Sequence, residues 1–135
     1  MDLTKAMMIS AAGMQVQSTR MKVISENLAN ADSISTRPGG DPYRRKVLSF
    51  ANELDKKAET NLVRVKRITT DSSPFGLEFD PGNPAAGPQG YVKLPNVNSL
   101  IEVSDMREAQ RTYEANLTVI ESVKAMMART IDLLR

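Results

Sequence analysis

The chain contains no cysteine, no histidine and no tryptophan, and aromatic residues make up only 4% of it. Without cysteine there is no disulfide framework, no thiolate metal site and no thiolate nucleophile. Without histidine the commonest general base and zinc ligand is missing too. These absences weigh against an enzyme. Charge of one sign is also lacking: 18 basic residues stand against 16 acidic ones, a net charge of +2. The clusters Arg44, Arg45, Lys46 and Arg64, Lys66, Arg67 sit where strands are expected and read as solvated faces, so no nucleic-acid partner is expected. No apolar run approaches the roughly 18 residues of a membrane span, and the N-terminal stretch does not have the pattern of a cleaved signal peptide. Asp71, Glu78 and Asp80 lack the spacing of a calcium loop. No catalytic residue, metal or cofactor is expected.

What the sequence does have is two long amphipathic stretches, one at each end. Leu3, Met7, Ser10, Met14, Gln17, Met21, Ile24 and Leu28 follow an alternating 4,3 step. Val103, Met106, Gln110, Tyr113, Leu117, Ile120, Lys124, Met127, Ile131 and Leu134 do the same. Each reads as one long helix; at 1.5 Å per residue, about 28 residues make a rod of roughly 42 Å. Antiparallel pairing, coiled-coil-like, would set Leu3 near Leu134, Met7 near Ile131, Met21 near Leu117 and Ile24 near Tyr113. The expected pairing seam is Leu3, Met7, Met14, Met21, Ile24, Leu28, Tyr113, Leu117, Ile120, Met127, Ile131 and Leu134. A second stripe lies off it: Ile9, Ala12, Val16, Val23, Ala115, Val119, Val123 and Met126. A helix apolar on two sides needs neighbours on both, and the middle of the chain is short for covering two rods, so this stripe is expected to face other subunits.

Asp2 can cap the first helix, which stops at Asn30 and the Pro38-Gly39-Gly40 run; Asn30 suits a left-handed cap. Gly13 inside the helix costs about 1 kcal/mol against alanine, and its expected use is close approach of another backbone. Ser99 and Glu102 read as a capping box for the second helix, with Asn98 a competing cap one residue earlier. Glu108 with Arg111 and Glu121 with Lys124 are spaced as surface ion pairs. Asn27, Asn30 and Asn116 flank the seam and are candidates for hydrogen bonds that fix register. Between the helices, Tyr43 to Phe50 and Leu62 to Thr69 are strand candidates, Glu53 to Thr60 a helical turn or disordered tip, and Tyr91 to Leu94 an edge strand. Residues 73–95 hold five prolines and four glycines and read as an extended arm. The fold class is α+β, mainly α: a helical part from residues 1–30 and 96–135, and a β or extended part from residues 31–95.

With Ile24-Ser25-Glu26-Asn27-Leu28-Ala29-Asn30 at one end, and Asp80-Pro81-Gly82-Asn83-Pro84, Gly90-Tyr91-Val92, Pro95-Asn96-Val97-Asn98 and Met106 to Asn116 toward the other, the chain resembles the axial proteins of the bacterial flagellum, the rod and hook group, and its short proximal rod members most. The resemblance implies a non-enzymatic subunit exported through the flagellar type III apparatus without a cleaved signal. It implies helical assembly in the periplasmic rod of the basal body, with copies of itself and other rod proteins as partners, and transmission of torque. It also implies that the two terminal helices form the inner, axial domain and residues 31–95 the outer one. Another short axial rod protein, or a secretion-associated amphipathic-helix adaptor at a membrane surface, is the alternative.

Overall fold

The structure, a computed structural model, describes residues 2–56 and 59–134. In chain order the elements are α1 (Leu3–Ala29), β1 (Lys46–Asp55), β2 (Thr60–Thr70), β3 (Gly76–Phe79), β4 (Tyr91–Leu94) and α2 (Ser99–Leu133). The α+β expectation, mainly α with two long helices packed together and small antiparallel sheets, holds. β1 pairs with β2, and β3 with β4. The strands begin and end differently from the sequence reading. β1 runs on through Asp55 and β2 starts at Thr60, so the two strands take up Glu53 to Asp55 and Thr60 of the expected turn or tip, of which Lys57 and Ala58 lie outside the described residues. The proline-rich arm contains a strand the sequence did not announce: Gly76 to Phe79 pairs antiparallel with Tyr91 to Leu94, Gly76 opposite Leu94 and Phe79 opposite Tyr91. Both strands fall in proline-free gaps, so the ladder loses no donor.

Two compact units divide the chain. One comprises Met1–Met21, Leu48–Arg67 and Arg107–Arg135; the other comprises Lys22–Val47 and Ile68–Met106. Each takes a stretch of both helices and a piece of the middle.

In the first unit the buried residues are Ser10 and Val16 of α1, Leu62 of β2, and Ala109 and Val123 of α2. The β1–β2 hairpin stands beside α1: Gln15, Val16 and Thr19 face Val63, Arg64 and Val65 across a shallow cleft. On the hairpin itself Arg64 is paired with Glu53 and Asp55. Val16 is therefore covered by the chain's own hairpin. The sequence reading underestimated the middle here, because strands of 10 and 11 residues, each rising about 3.3 Å per residue, make a two-stranded ribbon roughly 33 Å long.

In the second unit Val23, Ile24 and Asn27 of α1 are buried with Ala85, Val92 and Glu102. Phe79 and Tyr91, opposite one another on the β3–β4 ribbon, meet edge to face with centroids 5.2 Å apart. The loop between them closes through Asp80 N–H to Gly90 O at 3.0 Å. Gly90 has φ +78°, a left-handed value that glycine alone adopts without strain, and a Cβ there would also strike the Phe79 ring.

Helix ends follow local chemistry. Asp2 Oδ1 accepts from Thr4 N–H at 2.9 Å, as expected of a cap. At the other end of α1, Asn30 is not left-handed; its side-chain amide donates to the Glu26 carbonyl at 2.8 Å and its oxygen accepts from Ser33. α2 is capped by Asn98, whose Oδ1 accepts from Leu100 and Ile101 N–H, and not by Ser99. The capping box is thereby corrected, and Glu102 is free for another role. Asn98→Ala is expected to cost about 1 kcal/mol in a urea titration. Ser99→Ala should stay within about 0.5 kcal/mol.

Candidate helix-pairing and assembly site

Three contacts define how α1 meets α2. Gly13 lies against Asn116, close enough that a Cβ on the glycine would sit 2.9 Å from the asparagine Nδ2. Arg20 pairs with Glu108 at 3.4 Å. Asn27 donates to Glu102 at 3.1 Å. Along α1 the contact residues rise while along α2 they fall, so the helices are antiparallel. Gly13 faces a side chain there, and not the second backbone that the sequence suggested.

The register is not the one the apolar spacing implied. Asn116, expected opposite Met21 or Lys22, lies opposite Gly13, a displacement of about eight residues or roughly 12 Å. The reason lies in what occupies the closest approach. Gly13, Arg20 and Asn27 are seven apart on α1, and Glu102, Ala109, Asn116 and Val123 are seven apart on α2. Of these, Asn27, Glu102, Ala109 and Val123 are buried. Small and hydrogen-bonding residues therefore form the centre of the interface, where the two helices come nearest, and the large apolar side chains flank it. A periodicity search weights size and hydrophobicity and so finds the flanks.

The expected seam residues are distributed accordingly. Ile24 is buried. Leu3, Met7, Met14, Met21, Leu28, Tyr113, Ile120 and Met127 are half-buried. Leu117, Ile131 and Leu134 are exposed, the last two at 60% and 83%. Of the stripe assigned to other subunits, Val16, Val23 and Val123 are instead buried within this chain, and Ala12 is half-buried; the hairpin and the helix interface reach them. Ile9, Ala115, Val119 and Met126 stay exposed. The expected surface pairs are corrected as well: Glu108 pairs with Arg20 and not Arg111, and among the described residues Lys124 makes no ion pair with Glu121.

Where α1 ends and α2 begins, a polar cluster replaces apolar packing. Asn27, 1% exposed, uses its full capacity. Its amide donates to Lys46 O at 2.9 Å and to Glu102, and its oxygen accepts from Lys46 N–H at 2.9 Å and from the Tyr43 hydroxyl at 2.8 Å. Toward Lys46 it acts as one more peptide group at the start of β1. Burial pushes the Tyr43 phenol up, so it stays a neutral donor. The fully buried Glu102 takes Asn27 on one oxygen and the Arg45 Nε on the other. Arg45 also approaches Asp71 at 3.5 Å and Asp105 at 3.9 Å, and its backbone N–H donates to Asn96. Asn96 in turn donates to the carbonyls of Asp71 and Ser73. Beside the cluster, Arg44 donates to the same two carbonyls and lies over the Phe75 ring at 4.1 Å. Of these residues sequence reasoning picked out Asn27 and Glu102. Arg45 was placed among solvated basic residues, because nothing local shows that its partners come from 26 and 57 residues away.

At the cluster's edge the Lys46 ammonium, 2.9 Å away, holds the Glu26 carboxyl below the usual range, and Ser73 N–H holds Asp71 low. A carboxyl with a depressed folded pKa stabilises fully above its ordinary value, and that contribution is lost as pH falls through the depressed one. Lys46 is raised by the same pair, so its share is full below the ordinary lysine value and lost as pH rises through the raised one. Stability should therefore be flat near neutrality and fall below about pH 4. Urea midpoints at pH 7 and pH 3, for the protein and for Glu26→Gln, test this; the variant should lose less on acidification.

Among the described residues no group of three or more acidic side chains is placed to hold a metal ion, and no helix is long and apolar enough to cross a membrane. Asp71, Glu102 and Asp105 converge on a guanidinium. Paired terminal helices pinned by buried hydrogen bonds define a structural, helix-pairing class of protein. A family described as the C-terminal part of the flagellar basal body rod FlgEFG proteins matches residues 89–133, which take in β4 and α2. The chain is 52% identical over 133 residues to the flagellar basal-body rod protein FlgC of Agrobacterium fabrum, covering 98% of this chain and 96% of that protein. It is 40% identical to the FlgC of Yersinia enterocolitica, covering 98% of each. To the FlgC of Bacillus subtilis it is 36% identical, covering 93% of each. The chain belongs to the FlgC family of flagellar basal-body rod proteins.

Proposed function

We propose that this chain is a structural subunit of the flagellar proximal rod and not an enzyme. It is exported through the flagellar apparatus without a cleaved signal and assembles helically in the periplasm with copies of itself and other rod proteins. The observation that carries the reading is likeness to FlgC proteins along nearly the whole chain, coupled to the antiparallel pairing of α1 with α2. The terminal helices form the inner, axial domain and residues 31–95 the outer part. Long helices spread a shear load over many contacts, which suits an element that transmits torque. Exposed apolar residues on α2, Leu117, Val119 and Met126 among them, support contacts with neighbouring subunits.

Purified basal bodies from cells carrying an epitope-tagged chain test this. The tag should co-purify with the rod, and deletion of the gene should abolish motility with no rod formed. Motile deletion cells, or a tag left wholly in the soluble fraction, would reject the reading.

A further inference from the structure

The β3–β4 ribbon has an open side. Among the described residues β3 pairs with β4 and with no other strand, and all four of its residues, Gly76 to Phe79, are exposed. The ladder fixes which way its main chain points. Asp80 N–H donates to Gly90 O, and in an antiparallel pair hydrogen-bonded partners alternate with non-bonded ones, so Gly76 and Glu78 turn their peptide groups toward Leu94 and Val92. Leu77 and Phe79, in the non-bonded positions, turn theirs outward. Among the described residues nothing in the fold bonds those two N–H and two C=O groups.

The same edge is apolar. Leu77 and Phe79 lie on one side of the ribbon, opposite Lys93 and Tyr91, and are exposed at 66% and 64%. Edge strands are commonly guarded by lysine, proline or a bulge. β3 has no such guard: its register with β4 is continuous, Pro74 and Pro81 stand outside it, and the Lys93 across from Leu77 is held by Asp41 at 2.8 Å. The one charge on β3 is Glu78, on the other side of the ribbon from Leu77 and Phe79, and it makes no ion pair among the described residues.

We infer that the outer edge of β3 is a docking site for an extended segment of a partner protein, which adds a third, antiparallel strand with an apolar, basic, apolar sequence. The two apolar residues of that segment lie opposite Leu77 and Phe79 and exchange main-chain hydrogen bonds with them, and the basic residue falls opposite Glu78. Charge selects this partner over a second copy. Two copies of β3 paired so that Leu77 and Phe79 of each bond Phe79 and Leu77 of the other would set Glu78 opposite Glu78, and like charges directly opposite destabilise a pair of strands. The site belongs to residues 76–79 and involves neither terminal helix.

The test uses the purified, isotope-labelled full chain and three capped peptides: Thr-Val-Arg-Val-Thr, its counterpart with glutamate in place of arginine, and the arginine peptide N-methylated at both valines. Nuclear magnetic resonance titration at millimolar peptide follows the backbone amides. The arginine peptide is expected to shift the Leu77 and Phe79 amides and to slow their hydrogen exchange. The glutamate peptide should bind about fivefold more weakly, and Glu78→Lys should reverse that order. The N-methylated peptide should leave both amides unmoved, since it lacks the donors that strand addition needs. No shift at Leu77 and Phe79 with the arginine peptide would overturn the inference, as would equal binding of the arginine and glutamate peptides, or binding that survives N-methylation. None of these outcomes touches the rod reading, which the basal-body experiment decides separately.

Discussion

Asn27→Ala should lower the unfolding free energy by about 2–4 kcal/mol, seen as a large drop in the urea midpoint. The side chain is buried and makes four hydrogen bonds, so truncation strands the Lys46 backbone groups, the Tyr43 hydroxyl and one oxygen of a buried carboxylate together. Asn27→Asp should be at least as damaging despite its shape. It replaces the two amide donors with an acceptor beside the Glu102 carboxylate, so two negative charges would share a buried site. A midpoint for Asn27→Ala within the scatter of surface variants would mean that water replaces these bonds, and that the cluster does not set the register.

Arg45→Met is the second large effect, with an expected loss of about 3–5 kcal/mol. Most of that is the cost of leaving the Glu102 carboxylate buried with only Asn27 beside it. The double replacement Arg45→Met with Glu102→Leu should be less destabilised than either single change, because it removes the buried charges along with the bond between them. Additive losses would show that the two side chains are not energetically coupled, and that no stranded charge accounts for the cost.

Legibility in the sequence followed the range of the interaction. Helix ends and strand types are local, and Asp2, the stop at Asn30 and three of the four strands were readable from neighbouring residues. The choice between Asn98 and Ser99 as cap was not, since both suit the position; it was settled by Glu102, which a capping box would need and which Arg45 and Asn27 hold instead. The strand at Gly76 to Phe79 was hidden because the strand it pairs with lies beyond an eleven-residue loop of prolines and glycines. Register was the hardest quantity. Hydrophobic spacing repeats along a helix, so several slides of one helix past the other satisfy it nearly equally. Features that occur once break that tie, such as a glycine fitting one asparagine, or an asparagine reaching one buried glutamate.

Two long terminal helices and the absence of thiol and imidazole chemistry were decided by the sequence alone, because composition and period-3.6 patterning act residue by residue. Which residues of those helices touch, that Val16, Val23 and Val123 turn inward, and that α2 outruns α1 to leave Ile131 and Leu134 uncovered were decided only by the tertiary structure. Close approach selects small and hydrogen-bonding side chains whose partners are distant in the chain, and a one-dimensional pattern does not record those distances.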